Sequence, residues 1–429
     1  MAKKQEWYRL DNAAKIYPVI RTKLWSPIFR YSADMKEPVD PTALQRALNN
    51  ARFRFPGNFV RLRRGLFWYY FEALNRNVAV EEDVRYPCAP MQAGGPLFRL
   101  RYYGERVSME FFHGITDGSG AMTFFKSVLA EYLRQKGIDV PCTHGVLDLN
   151  AEPDAEELED SFLRFSRMRV LPSRTEPRAY HPAGTRLYGG RRRITTGVMQ
   201  VDQLLERSRA MNVTITEYLA ALMAQALYTL QKSQARGAMY PVKISVPVNL
   251  RKYYPTKTLR NFSQYINPGI DPNYGDFTFE ETLMQIHHSL RFSLTEKNLN
   301  ARMSKNVSSE QNMALRMVPL FIKKPVIFLE WFRTGERIFS MSFSNLGAVE
   351  LPPRMQAHVQ RISFVLNTAR YNPLEAGAVS LGKKLTVTFT SALEEPHVER
   401  LFFTSLIRQG VHVLVESNEG ISQISEGRV

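Results

Sequence analysis

The residues best placed to do chemistry are His113-Gly114-Ile115-Thr116-Asp117-Gly118. They stand where an apolar, β-patterned run ends and a helix-spaced run begins, and loops at strand ends commonly hold catalytic groups. A histidine at such a point can act as a general base near neutral pH. Asp117, four positions on, can brace the loop, and glycines at 114, 118 and 120 permit a tight path and close approach of a substrate. The same residues also fit an ordinary strand-to-helix turn with an incidental histidine, and residue types alone leave both readings open. The other histidines offer less. His287-His288 falls in the middle of a helical pattern and reads as helix surface or core rather than a ligand pair. His144, His181, His358, His397 and His412 have no partners at metal-ligand spacing, so no metal is expected. Cys88 and Cys142 cannot complete a thiolate zinc site and do not make a disulfide scaffold; both are expected as reduced thiols.

The elements that must position His113 follow from periodicity and punctuation. Asp40-Pro41 looks like an N-cap with proline at the first helical position, opening a helix through Leu44, Ala47, Leu48 and Ala51 that Pro56-Gly57 stops. Hairpins are expected over 59–72, turning near Arg64-Gly65, and over 97–113, turning at Gly104. Met122, Phe125, Val128, Leu129, Tyr132 and Leu133 carry helical spacing, with Gly137 placed to end it. Residues 145–190 are first acidic and then proline-rich, and read as a long crossover, helical over 156–169. Beyond it come a strand at 191–200, whose triple arginine reads as a solvated entry, and two helices over 201–230 separated near Asn212, with Thr214 or Thr216 as cap. Strands follow at 243–250, 338–343, 361–366 and 412–415, with a hairpin over 378–390. Helices are expected at 277–294 and 394–408. Lys383-Lys384 marks the hairpin turn. The apolar run 318–332 is expected as an element of the second half, with an interfacial or lid element for a lipid-like substrate as the other option. No repeat of solenoid period is visible. The pattern is α/β with hairpins, so mixed sheets are expected.

HGITDG matches the HxxxDG signature, and the chain resembles the chloramphenicol-acetyltransferase-like superfamily. That superfamily includes BAHD acyltransferases, peptide-synthetase condensation domains, wax-ester synthases and alcohol acetyltransferases. The lead-in PLFRLRYY…VSMEFFHGITDG is similar to the hairpin that carries the motif there. SFSNLG at 342–347 is similar to the second motif of the alcohol-acetyltransferase branch, and VPVNLRKYYP…LRNF at 246–262 to the stretch supplying a structural arginine and an asparagine. Position 112 is Phe, so the doubled histidine of condensation domains is absent, as is the DFGWG of BAHD enzymes; both departures point to the alcohol-acetyltransferase-like branch. The resemblance implies an α/β fold of two chloramphenicol-acetyltransferase-like halves, each a mixed β-sheet with flanking helices, and a tunnel between them. Residues 1–185 would form the half carrying HxxxDG, including the link from about 145, and 186–429 the half carrying SNLG. It also implies roles. His113 would take the proton from an attacking hydroxyl or amine; Asp117 would complete the catalytic motif by pairing with Arg251; Gly118, Ser344 and Asn345 would serve the oxyanion and substrate; Asn261 would support with Arg251. No acyl-enzyme is required and no cofactor is held permanently; acyl-CoA would be the co-substrate.

Length and charge bound the function class. The chain has 429 residues, long enough for two or three domains or one duplicated unit. Its apolar fraction of 44% and aromatic fraction of 11% exclude a disordered or fibrous chain. The formal net charge is +16, from 57 Lys and Arg against 41 Asp and Glu. That excess suits an anionic ligand or surface. No helix gathers its Lys and Arg on one face and no nucleic-acid motif occurs, so nucleic acid is not expected. A phosphate-bearing acyl donor, an acidic acyl carrier protein, or peripheral contact with a membrane fits better, with a small or lipid-like acceptor. A condensation-type transferase fed by a carrier protein and a non-catalytic binding homologue stand as alternatives. The start of the sequence lacks the apolar core of a signal peptide and no long uncharged apolar run occurs, so a cytoplasmic location is expected.

Overall fold

In the computed structural model the described residues are 7–167, 176–235, 237–311 and 316–419. The end of the helix expected over 156–169 lies outside them. The alternating runs pair into two mixed sheets. The first has five strands in the order Val359–Leu366, Ile28–Met35, Arg106–Phe112, Phe98–Tyr103 and Val80–Glu82, antiparallel except for the last pair. Period-two alternation sends Phe29, Tyr31, Met109, Phe111 and Phe98 into one core. The helices Pro41–Arg54 and Gly118–Gln135 share that core, and Asp40 caps the first through Thr42 N–H and Ala43 N–H. The opposite face carries Arg30, Ser32, Arg101, Ser108 and Glu110, all buried, where the guanidinium of Arg30 meets Asp83 and Glu110.

The second sheet runs Ser263–Ile266, Val242–Asn249, Met341–Val349, Leu374–Leu381, Lys384–Ser391, Arg193–Gln200 and Val413–Ser417, with Gly269–Ile270 also on Val242–Asn249. Met341–Val349 is parallel to both its neighbours and the other pairs are antiparallel. The helices Ile215–Gln234, Phe279–Ser293 and His397–Arg408 pack on this core. Thr214, not Thr216, caps the first of these in a reciprocal box with Glu217. A three-stranded sheet of Trp7–Arg9, Tyr69–Ala73 and Val60–Arg64 completes the strands.

The halves are stitched rather than linked. Val359–Leu366 is a late segment, yet it is the outer strand of the early sheet, paired antiparallel with Ile28–Met35. The acidic stretch read as a crossover is a second stitch. Glu157 forms a bidentate pair with Arg54, Asp154 pairs with Lys257, and the Leu259 N–H and Thr258 hydroxyl donate to the carbonyls of Glu157 and Glu159. Among the described residues up to 167, a 3-10 turn, Ala155–Leu158, and a short helix, Ser161–Phe165, form there. The triple arginine is not a solvated entry: Arg193 is buried against Glu399, and Arg192 bonds the Thr368 hydroxyl, leaving Arg191 exposed.

Gly120 lies against the backbone of Leu259, far along the chain. A Cβ there would stand 2.0 Å from the Leu259 carbonyl oxygen and 2.4 Å from Thr116 Oγ1. Alanine normally favours a helix over glycine by about 1 kcal/mol, whereas forcing a methyl into backbone typically costs about 1–3 kcal/mol. The clash should win. Gly120→Ala is expected to be net destabilised in a chemical denaturation series; an unchanged or raised midpoint would refute the tight approach.

Candidate active site

The strand Arg106–Phe112 delivers His113 to the end of the first sheet, where its N–H donates to the Pro27 carbonyl at 2.9 Å. The imidazole is stacked on Tyr17, centroids 4.7 Å apart, and meets the edge of Phe29 at 5.0 Å. Its Nδ1 lies 3.1 Å from Asn261 Oδ1. The orientation of that amide is set from behind, because Asn261 Nδ2 donates to the fully buried carboxylate of Asp11 at 3.1 Å. Asn261 Oδ1 is therefore the acceptor, Nδ1 carries the proton, and Nε2 presents a lone pair. Among the described residues no protein group bonds Nε2. Burial pushes the imidazole below its ordinary value, while its own backbone carbonyl, the Asp117 carboxylate, the Asn261 bond and Asp11 pull the other way. The group is neutral, and so basic, at neutral pH.

Asp117 fixes this arrangement. Its Oδ1 caps the helix Gly118–Gln135 by accepting the N–H groups of Ser119 and Gly120, both at 3.1 Å. Its Oδ2 accepts from Arg251 Nη1 and from the Phe262 N–H, both at 2.8 Å. Arg251 also donates to the carbonyls of Thr258 and Arg260, so one guanidinium holds the loop that carries Asn261. Asn249 bonds Ser119 Oγ at 2.9 Å, and the Tyr31 hydroxyl donates to the Gly118 carbonyl at 2.8 Å. Thus His113, Asp117, Gly118, Arg251 and Asn261, expected from the sequence, stand together. Asp11, Asn249, Tyr17 and Tyr31 complete the site without having been singled out.

The SNLG segment reaches the same place. A Cβ added to Gly118 would lie 2.9 Å from the Leu346 side chain. The strand Met341–Val349 has a bulge here: Asn345 pairs with Ala378, but Ala348 pairs with Ser380. Asn345 shapes the bulge. Its Nδ2 donates to Thr216 Oγ1 at 3.0 Å and its Oδ1 accepts the N–H of Gly347, which has φ +76°. The Ser344 hydroxyl has no partner among the described residues.

A small cavity lined by Tyr8, Phe71, Ile115, Leu158, Leu259 and Arg260 approaches the motif loop from behind, and His113 is not in its wall. Among the described residues no three His, Cys, Asp or Glu side chains are grouped to hold a metal ion. None of the helices searched is long and apolar enough to cross a membrane.

The architecture is a mixed α/β fold that solved condensation domains and TRI101 share. No family model and no curated protein sequence matches the chain. Solved structures do. F. sporotrichioides TRI101, complexed with coenzyme A and T-2, superposes with a TM-score of 0.64 at 12% identity, over 97% of this chain and 100% of that one. Polyketide synthase associated protein 5 from Mycobacterium tuberculosis gives a TM-score of 0.62 at 12% identity, over 95% and 98%. The starter condensation domain of rhizomide synthetase RzmA, in complex with C8-CoA and Leu-SNAC, gives 0.58 at 13%, over 98% and 97%. At these identities the likeness is one of fold.

Asp117 is almost wholly buried and Arg251 mostly so, which makes their pair a stability element. Asp117→Asn leaves an oxygen for the helix cap but removes the charge facing Arg251. It is expected to lower unfolding free energy by about 3–5 kcal/mol, read by denaturant unfolding; a loss under about 1 kcal/mol would show the pair to be solvated.

Proposed function

We propose that the protein moves an acyl group from a thioester, with acyl-CoA as donor, to a hydroxyl or amine acceptor. The observation that carries this reading is the His113 imidazole held at Nδ1 by Asn261, with no bond to Nε2 from the described residues. In this reading the first half, 1–185, supplies the base. The second, 186–429, supplies Arg251, Asn261 and Ser344, and a tunnel between the halves admits both substrates. The coenzyme A named in the TRI101 structure and the C8-CoA named in the RzmA structure support a thioester donor.

The acceptor hydroxyl or amine attacks the thioester carbonyl while His113 Nε2 takes its proton, forming a tetrahedral oxyanion and an imidazolium. The oxyanion collapses, the carbon–sulfur bond breaks, and the imidazolium returns the proton to the departing thiolate. Ester or amide and free thiol are the products. Positioned base assistance is worth roughly 10²–10⁴ in rate. The Ser344 hydroxyl is the donor offered to the oxyanion, a role that in other sites is worth on the order of 3 kcal/mol. Asn345 holds the bulge that presents it. Asp117 does no proton transfer here: its oxygens are engaged by helix, arginine and backbone.

Purified protein should release free thiol from acyl-CoA in the presence of an acceptor, screened over chain lengths and over alcohols and amines. His113→Ala is expected to keep its far-UV spectrum and lose roughly 10²-fold or more in turnover; full activity in that variant would reject the assignment.

The lowered imidazole value fixes the sign of the pH dependence. The base form is kept as pH falls until the lowered value is reached. The acid limb of kcat/KM is therefore expected below the ordinary histidine value of about 6.5, with a plateau above it. A limb centred above 7 would mean that another group titrates.

A further inference from the structure

We propose that the helix Leu320–Thr334, with the neighbouring hairpin turn, docks on the surface of an anionic lipid bilayer. This helix is turned inside out. Its inward residues include Lys323, whose ammonium sits 3.7 Å over the Trp68 ring and donates to the carbonyls of Phe67 and Arg316. Its outward residues include an apolar group: Phe321 is 62% exposed, Ile322 51%, Val326 66% and Leu329 55%. Ile322, Val326 and Leu329 follow helical i, i+4, i+7 spacing and form one stripe. The patch continues off the helix. The Leu320 N–H donates to the Leu66 carbonyl, which brings exposed Leu66 and Phe67 of the hairpin turn beside the helix start, and exposed Met317 precedes it.

Large apolar side chains exposed side by side in this way mark an interaction surface. The charge around it selects the partner. Arg316, Lys324 and Arg333 are exposed at its margins, and Glu330 is the segment's one acid between 316 and 334. A second copy would set these cations against themselves, on a chain already at +16. An anionic lipid surface takes up both parts, with apolar side chains entering the headgroup boundary and cations meeting lipid charge. The helix has 15 residues, a length of about 22 Å, too short to cross a hydrocarbon core of about 30 Å, so it lies along the surface. It packs against the turn Tyr17–Ile20, whose Tyr17 stacks on His113. The helix and the imidazole thus contact the same short turn.

Flotation of the full chain with vesicles tests this without any assay of acyl transfer. Vesicles of phosphatidylcholine with roughly 30 mol% phosphatidylserine should carry the protein upward, and vesicles of phosphatidylcholine alone should carry about tenfold less. The double variant Val326→Ser/Leu329→Ser changes exposed positions, so its melting temperature should be unchanged while its bound fraction falls about tenfold. Absence of flotation with the anionic vesicles, equal flotation with neutral ones, or binding untouched by the double variant would overturn the proposal. So would sedimentation showing a dimer that the double variant dissociates.

Discussion

One buried carboxylate holds the molecule in register. Asp117 caps the helix that follows it with one oxygen and grips the other half of the chain with its second, through Arg251 and the Phe262 N–H. A buried charge is tolerated only where its lone pairs are filled, and here four donors fill them. Position 261 lies between two groups tied to this clasp, the Arg260 carbonyl and the Phe262 N–H. The amide that orients His113 is thus set by a contact across 134 positions of sequence. Tyr17 and Phe29 then fix the ring plane. The His113 ring is located by groups from distant parts of the chain, and not by its own loop alone.

Much of this was legible. The strands flanking the motif alternate cleanly, Gly104 and Gly137 take positive φ where turns were expected, and the Thr214–Glu217 box is written in the sequence. The link from Asp117 to Arg251 was available from motif resemblance. Asp11 was not, because it sits in an irregular segment with no periodic signal and meets Asn261 across 250 positions. The acidic stretch before residue 160 reads as a crossover because nothing local announces its cationic partners, Arg54 and Lys257. The strand expected to stop before SNLG continues to Val349. The bulge absorbs an extra residue there, and a simple alternation test stops at such a point.

The site and the apolar surface helix are neighbours through a single aromatic layer. Tyr17 touches the imidazole on one side and belongs to the turn that supports the outward-facing helix on the other. Trp331 and Phe332 of that helix pack near Tyr371, and the backbone N–H of Tyr371 is anchored by the Glu336 carboxylate. Burial raises Glu336 to about 7, against the backbone bonds that favour its charged form. The surface helix thus meets the rest of the protein near both of its ends.

The strand Val359–Leu366 has a consequence for how the chain comes into being. Ile28–Met35 is made early, and its outer hydrogen-bonding edge finds its partner only after a further three-quarters of the chain has been synthesised. Until then the nascent first half carries an open sheet edge, the kind of surface that recruits other strands. The early half cannot finish on its own schedule. Its last strand arrives only after most of the second sheet has been made, so completion of one sheet is tied to completion of the other.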